Sequence, residues 1–238
     1  GAPTGGMSAL KIDTSLIQPE ATTAVDMSAN LDSRALPPAV AWPAAGFDAF
    51  ASPATAPDPD MFNSSTSVTI YDSLGNSHTQ SLYFVKTATE NEWEVHSLID
   101  GVSQGSASTL TFDSSGQIPT ADLPLEVDIA GWTPLDAAGN TNGAAAQDFT
   151  LDLSTLTQFG NEFSVTGIAQ DGFTTGQLRG VEVGDGGVVF ARFTNGQSRA
   201  LGQVALADFS NTAGLQPLGG SIWAETFTSG QPSIGAPG

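Results

Sequence analysis

Residues 68–86 read Val-Thr-Ile-Tyr-Asp-Ser-Leu-Gly-Asn-Ser-His-Thr-Gln-Ser-Leu-Tyr-Phe-Val-Lys. Val68 and Ile70 repeat every second residue in its first half, and in its second half Leu82 and Phe84 stand opposite Tyr83 and Val85, which is the period-two pattern of β-strands. Its centre, residues 72–76, is rich in residues that favour turns. We therefore predict two antiparallel strands joined at this turn, with Leu82 and Phe84 on one face of the second strand.

The alternating pattern extends on both sides of this hairpin. After a turn at residues 90–91, a third strand completes an antiparallel meander, and one of its faces carries Trp93, Val95, Ser97 and Ile99. The same alternation predicts an earlier strand through Val25, Met27, Ala29 and Leu31.

Further strands are predicted from shorter runs and from turn residues. Asn195-Gly196 separates two alternating segments, and this dipeptide favours a hairpin because both residues tolerate positive φ. The additional predicted strands are residues 108–112, 149–153, 181–183, 188–193, 198–201, 204–209 and 223–227. The 27 glycines and 14 prolines leave few windows with helical spacing. The predicted fold class is mainly β, built from hairpins and meanders with little helix.

Residues 35–60 differ from the rest of the chain. They hold six prolines among several alanines, and this density excludes a central strand or a helix. Trp42, Phe47 and Phe50 give the segment apolar side chains to bury. We predict a Pro/Ala-rich surface insertion that forms a long loop over the protein.

The charge balance argues against two classes of partner. The 238 residues include 25 acidic and 6 basic side chains, a net charge of −19. Nucleic-acid binding requires clustered basic residues, so we predict no nucleic-acid partner, and the same field repels anionic membranes. No apolar run approaches the roughly 20 residues of a membrane span, and no signal peptide opens the chain. We therefore expect no membrane partner, and we expect a processed fragment or another export route.

The charge is distributed unevenly along the chain. Residues 61–170 carry a net charge of −12, whereas residues 171–238 carry −2. Charged residues are depleted in the centres of protein interfaces. The C-terminal third is therefore the better candidate for packing against other subunits, and the middle segment for contact with solvent.

The residue types needed for catalysis or metal binding are scarce. The chain has no cysteine, and its two histidines, His78 and His96, lie on the proposed meander, where we expect them to be able to face each other. No third ligand stands at a suitable spacing. We predict no catalytic, cofactor-binding or metal-binding residue and no cofactor.

Other polar stretches fit turns and solvated strands better than reactive sites. Ser77 and Ser198 lack the second glycine of the G-x-S-x-G elbow of hydrolases. The acidic loops at 136–140 and 185–187 do not match the calcium-binding loop pattern. A row of glutamates is interpreted as keeping a strand edge soluble: Glu90, Glu92 and Glu94.

Several segments, taken together, resemble the bacterial flagellar hook protein. The N-terminal ones are Val68–His78, Leu82–Thr87 and Asn91–Trp93, and the C-terminal ones are Gln170–Gly176, Phe193–Gln197, Leu201–Phe209, Gly214–Leu218, Trp223–Thr226 and Ser229–Gly230. These segments span most of residues 62–230. Residues 35–60 match no part of the family pattern.

The resemblance implies two β domains, the outer one inserted into a discontinuous inner one. It assigns residues 1–20 plus 173–238 to a partial inner domain and residues 21–172 to the outer, acidic domain. Hook proteins also carry terminal helical segments with the export signal and most axial contacts. The resemblance identifies this chain as a core fragment without those segments.

The implied function is that of a structural subunit, not an enzyme, which polymerises into a curved flexible tube and transmits motor torque to the filament. The implied partners are other copies of the full-length protein and the hook cap, distal rod and hook–filament junction proteins. The implied location is the extracellular hook, reached through the flagellar secretion apparatus. The fragment alone is expected to be monomeric.

Two other functions remain open from the residues alone. One is a calcium-dependent extracellular adhesin or surface-layer β domain, for which calcium would strongly stabilise the fold. The other is a secreted glycosidase, which would need a cleft with two carboxylates at catalytic separation.

Overall fold

The computed structural model describes residues 10–12 and 15–237. The chain forms two compact units: the larger unit, Gln18–Thr175, and the smaller unit, Gly1–Ile17 with Gly176–Gly238. The predicted segment 1–20 thus lies partly outside the described residues. Over the described ranges there is no α-helix, and hence no helix long and apolar enough to cross a membrane. The mainly β prediction is confirmed.

Ten strands form the larger unit. They are β1 (Ala24–Asp32), β2 (Ser64–Tyr71), β3 (Ser77–Lys86), β4 (Glu92–Ile99), β5 (Val102–Ser103), β6 (Ser108–Thr111), β7 (Glu126–Trp132), β8 (Gln147–Asp152), β9 (Thr157–Phe159) and β10 (Ser164–Gln170). Two short 3-10 helices, Pro59–Met61 and Thr120–Asp122, interrupt the loops.

These strands form two five-stranded sheets. The first has the order β10-β1-β8-β7 with β9 beside β1, and β1 runs parallel to β8 and β9 but antiparallel to β10. The second has the order β2-β3-β4-β5 with β6 beside β4, and all its pairs are antiparallel. The predicted meander of β2, β3 and β4 is confirmed.

The two sheets share one hydrophobic core. Alternate residues of each strand face it, as the pleat of a strand requires. The predicted faces of β1, β3 and β4 are buried. Their apolar members include Val25, Met27, Leu31, Leu82, Phe84, Trp93, Val95 and Ile99. Burial of these large side chains provides the main driving force for folding this unit, at about 25 cal/mol per Å² of apolar area.

Residues 35–60, here called the apron, form the predicted loop. The segment contains no strand, and only its last residues enter a 3-10 helix. Phe47 is buried, and its backbone N–H donates to Oγ of Ser103 at 2.8 Å while its carbonyl accepts from the N–H of Ser103 at 2.9 Å. Trp42 contacts Tyr83, with 5.3 Å between ring centroids. The apron therefore covers the face of the second sheet that is turned away from the core.

The smaller unit has short strands and a small interior. It contains β11 (Leu178–Val183), β12 (Val188–Phe193), β13 (Ser198–Gln203), β14 (Leu206–Asp208), β15 (Gln216–Gly219), β16 (Ile222–Ala224) and β17 (Ser233–Gly235), with 3-10 helices at Asp185–Gly187 and Thr212–Gly214. The β11-β12-β13 sheet contains the two predicted hairpins, and β14 pairs with β17 and β15 with β16. Val189, Ala191 and Phe193 are its buried apolar residues.

Two predicted strands are shorter than expected, and several strands were not predicted. Residues 204–209 contribute only β14, and residues 223–227 only part of β16. The chain turns after β16 because the Thr226 hydroxyl donates to the Gly214 carbonyl and the Ser229 N–H donates to the Thr226 carbonyl. The unpredicted strands are β5, β7, β9, β10, β15 and β17. In β10 almost every residue is exposed, so backbone pairing with β1 forms the strand without an apolar face.

Candidate functional site

The two histidines lie on opposite faces of the second sheet of the larger unit, so the expectation that they can face each other is wrong. His78 pairs with Ile70 and lies on the core-facing side, where it is buried. His96 pairs with Tyr83 and lies on the side that the apron covers. Side chains alternate across a strand, and the β3–β4 register places these two residues on different sides.

His78 sits between two carboxylates. Its Nδ1 is 2.6 Å from Oδ2 of Asp100, and its Nε2 is 3.3 Å from Oδ2 of Asp72. The His78 side chain is 5% exposed, and that of Asp72 is completely buried. Trp132 packs against the imidazole in a T-shaped contact, with 4.9 Å between centroids. A group of charges that is buried at His78 and Asp72 and partly exposed at Asp100 thus joins the turn after β2 to the turn after β4.

Asp72 has four further hydrogen-bond donors. Its Oδ1 accepts from the backbone N–H groups of Leu74 and Asn76, both at 2.9 Å. Its Oδ2 accepts from the side-chain amides of Asn76 at 2.8 Å and Asn142 at 2.7 Å. We call Asp72, Asn76, His78, Asp100 and Asn142 the polar cluster. Asn142 connects the loop between β7 and β8 to this cluster.

The environment shifts the pKa of each ionisable member of the polar cluster. The hydrogen bond to Asp100 raises the pKa of His78; burial opposes this, and the charges of Asp100 and Asp72 reinforce it. Burial alone would raise the pKa of Asp72, but hydrogen bonds from Asn76, Asn142 and His78 outweigh it and lower the pKa. Burial would likewise raise the pKa of Asp100, but hydrogen bonds from His78 and from the Thr79 N–H outweigh it, and the pKa is lowered. The charged forms of all three are therefore favoured.

His96 has the opposite environment. Its imidazole stacks on the indole of Trp42, with 4.2 Å between centroids and 16° between planes. Burial lowers the pKa of His96, although Glu94, 3.4 Å from its Nε2, opposes the shift. The side chains of His96 and Glu94 line a cavity of about 380 Å³ between the apron and residues 103–107. Burial beneath the apron therefore favours the neutral form of His96.

Three aspartates close turns of the same construction. Each opens an Asp-x-x-Gly-[Asn/Gln] sequence, at 72–76, 113–117 and 136–140. In each, Asp Oδ1 accepts the backbone N–H of the residues two and four positions later, at 2.8–3.1 Å. The glycine has a φ between 78° and 81°, which favours glycine. The acidic loop at 136–140 is thus a self-closed turn.

The residues considered as reactive groups lie at the starts of strands and on an interior strand of the second sheet. Ser77 and Ser198 are exposed at the starts of β3 and β13. Within residues 10–12 and 15–237, no group of three or more His, Asp and Glu side chains is arranged to hold a metal ion. Glu92 and Glu94 lie on β4, which pairs with strands on both sides. The interpretation of these two glutamates as edge residues is therefore wrong, because they lie on the apron-covered face of an interior strand.

The smaller unit exposes many apolar side chains and carries little charge. It has four basic and five acidic residues, against two and 20 in the larger unit. In the described part of the smaller unit, the exposed large apolar residues are Leu10, Ile12, Leu16, Val181, Val183, Val204, Leu206, Leu218, Ile222, Trp223, Phe227 and Ile234. Exposed apolar surface of this kind often marks a protein–protein contact.

The β15–β16 hairpin, residues 216–224, is the most exposed apolar element, and we call it the ribbon. Leu218 and Ile222 are each 62% exposed and Trp223 is 58% exposed, while the nearby Phe227 is fully exposed. The ribbon has two strands and no charged residue. Two-stranded ribbons are marginally stable in water unless they pack against another element. The ribbon is therefore the leading candidate for a subunit contact, and the exposed Leu218 and Trp223 are functional candidates that sequence patterning could not separate from core residues.

Comparisons with known proteins agree with this mainly β fold. A family model for the flagellar basal body protein FlaE D2 domain matches residues 30–173. The chain belongs to this family. The flagellar hook protein FlgE of Escherichia coli (strain K12) is 31% identical over 234 residues, covering 96% of this chain and 53% of that protein. FlgE of Treponema pallidum (strain Nichols) is 30% identical over 210 residues, covering 73% of this chain and 44% of that protein.

A solved structure supports the fold assignment of this FlaE D2 family member. The crystal structure of Helicobacter pylori flagellar hook protein FlgE2 matches with a TM-score of 0.55 and 14% identity, covering 94% of this chain and 77% of that one. At that identity the match concerns the fold alone. The chain spans about half the length of the curated relatives it matches. The resemblance to hook proteins inferred from sequence motifs is confirmed.

Proposed function

We propose that this chain is the core of a structural subunit of the bacterial flagellar hook. The full-length protein polymerises into a curved, flexible tube that transmits motor torque to the filament. The observation that carries the proposal is the match to hook proteins along almost the whole chain. These relatives give no support to the adhesin alternative, and no catalytic activity follows from membership of a structural family.

The distribution of charge supports an orientation for the two units. The larger unit has a net charge of −18, and the smaller unit has −1. Close packing of many copies places like charges near one another, and this costs free energy unless the charged surfaces stay in water. The larger unit therefore corresponds to the outer domain, and the smaller unit to the inner domain that meets neighbouring copies.

The partners and location follow from the same proposal. The partners are further copies of the full-length protein and, by family resemblance, the hook cap, distal rod and hook–filament junction proteins. The location is outside the cell, in the hook, after export through the flagellar secretion apparatus. The 238-residue chain alone is monomeric in dilute solution, because its net charge of −19 makes copies repel one another. Sedimentation at micromolar concentration tests this point, and a stable oligomer would contradict it.

Complementation tests the function. The gene for the full-length protein is deleted in its own bacterium and restored on a plasmid, and hooks are counted by electron microscopy. We expect hooks and swimming to disappear on deletion and to return with the plasmid. Hooks of normal number and length in the deletion strain would overturn the proposal.

A further inference from the structure

In the polar cluster, only one protonation state of His78 can donate a hydrogen bond from each ring nitrogen. Both ring nitrogens face carboxylate oxygens, Asp100 Oδ2 at Nδ1 and Asp72 Oδ2 at Nε2. A carboxylate is an acceptor only, and a neutral imidazole has one donor and one lone pair. In either neutral tautomer a lone pair therefore faces a carboxylate. Only the imidazolium donates to both.

The contacts of His78 with Asp100 and Asp72 differ in length, and the difference indicates which hydrogen bond is lost when His78 gives up a proton. The Nδ1 contact with Asp100 is short, at 2.6 Å, and Oδ1 of Asp100 is held separately by the backbone N–H of Thr79 at 2.9 Å. The Nε2 contact with Asp72 is longer, at 3.3 Å. When the proton leaves, the remaining N–H stays with Asp100, and the lone pair of Nε2 faces Asp72.

The Asp72 oxygen that then loses the His78 donor keeps two amide donors, and one of these holds a surface loop. Oδ2 of Asp72 accepts from the Asn142 amide at 2.7 Å, and this bond anchors the loop between β7 and β8. Asp72 and Asp100 are the titratable groups that interact with His78, while Trp132 covers the ring and contributes no charge. Loss of the His78 proton therefore leaves a fully buried carboxylate without a counter-charge at the anchor of this loop.

We propose that His78 is a proton-dependent latch, which ties the β7–β8 loop to the turn after β2 while it is protonated and weakens that tie when it is not. The raised pKa of His78 agrees with this geometry. A group with a raised pKa in the folded state stabilises the fold fully below its unfolded pKa and loses this effect as the pH rises through the folded value. The latch therefore weakens on the alkaline side, and its action does not depend on the proposed hook function.

The experiment is a pH titration of the 238-residue chain by nuclear magnetic resonance. The chain has only two histidines, so a His96→Gln variant leaves His78 as the sole imidazole. We expect both ring nitrogens of His78 to remain protonated at a pH where an unfolded histidine is neutral. We also expect the Asn142 side-chain amide signals to shift or broaden with the same midpoint as His78.

Two variants provide the controls. His78→Gln should remove the pH dependence of the Asn142 signals while His96 still titrates. If that variant does not fold, Asp100→Asn, which preserves the size of the side chain, should lower the titration midpoint of His78. A His78 midpoint at or below that of an unfolded histidine would overturn the proposal, as would Asn142 signals that ignore the His78 titration.

Discussion

Trp42 lies stacked on His96, with their ring centroids 4.2 Å apart and their planes 16° from parallel. Trp42 also contacts Tyr83 of the same sheet, with 5.3 Å between ring centroids, so a single indole joins the apron to the second sheet. Within the apron, the edge of Phe47 packs against Trp42 at 4.9 Å. Backbone hydrogen bonds near Ser103 hold the same loop farther along. The apron therefore behaves as a packed layer of the larger unit, although it has no strand of its own.

Replacing Trp42 should loosen this layer. We expect Trp42→Ala to lower the free energy of unfolding by about 2 kcal/mol, because it removes a partly buried aromatic contact. It should also speed chymotrypsin cleavage within residues 35–60. Urea unfolding and timed proteolysis measure the two effects. Trp42→Phe should retain most of the stability and most of the resistance to proteolysis of the parent. An unchanged cleavage rate in Trp42→Ala would refute the packing role.

Two phenylalanines provide a matched test of the core. Phe84 is completely buried between the sheets, whereas Phe227 is fully exposed in the smaller unit. We expect Phe84→Ala to cost about 3–5 kcal/mol because it leaves a cavity, and Phe227→Ala to change stability by less than about 0.5 kcal/mol. Urea unfolding of both variants gives the comparison. Similar losses in the two would show that the shared core does not dominate stability.

Acid should destabilise the larger unit through its paired aspartates. Burial alone would raise the pKa of Asp171. Hydrogen bonds from the Thr23 hydroxyl and from the N–H groups of Thr23 and Ala24 outweigh burial and lower this pKa. Arg34 lowers the pKa of Asp32 to about 2. Groups with a lowered pKa stabilise the fold above their unfolded pKa, and this stabilisation is lost as the pH falls through the folded value.

The measurement is urea unfolding between pH 7 and pH 2. We expect stability to fall below about pH 4, the ordinary pKa of aspartate. Asp171→Asn should be less stable than the parent at pH 7 and should lose less on acidification. A parent protein whose stability is flat from pH 5 to pH 2.5 would contradict the prediction.

Salt should stabilise the chain through its acidic larger unit. With 20 acidic and two basic residues, that unit repels itself at low ionic strength. The Debye length falls from about 30 Å at 0.01 M to about 8 Å at 0.15 M salt. We expect the Tm to rise by a few degrees over this range of sodium chloride. Calcium at equal ionic strength should add nothing further, and a large extra calcium effect would instead favour the adhesin alternative.

The ribbon should matter for assembly and not for folding. In the full-length protein, we expect Trp223→Ser to change the free energy of unfolding by less than about 0.5 kcal/mol, because Trp223 is mostly exposed. The same change should shorten hooks or reduce their number in the complementation strain. Val40→Ser, at an exposed site on the apron, is the matched control. Normal hooks with Trp223→Ser would remove the ribbon from the contact surface.

The sequence by itself determined the strands that bury one face. Alternation in residues 68–86 and 93–99 placed the core-facing side chains correctly, because a strand in contact with a core has a period of two in hydrophobicity. The same reasoning missed β10, where exposed residues pair through the backbone alone. It also could not separate Trp223 from core residues, since an exposed aromatic residue in a short strand has the same local pattern as a buried one.

The tertiary structure alone decided which residues meet across long separations. Folding brought His78 between Asp72 and Asp100. It also stacked His96 on Trp42 of the apron, and no local pattern in the sequence marks either set of contacts. Asn142 reaches Asp72 across 70 positions of the chain, and no local signal marks that pair. Hydrogen-bond partners and burial depend on how separate strands pack. The protonation of His78, which depends on both, could therefore be inferred only from the folded chain.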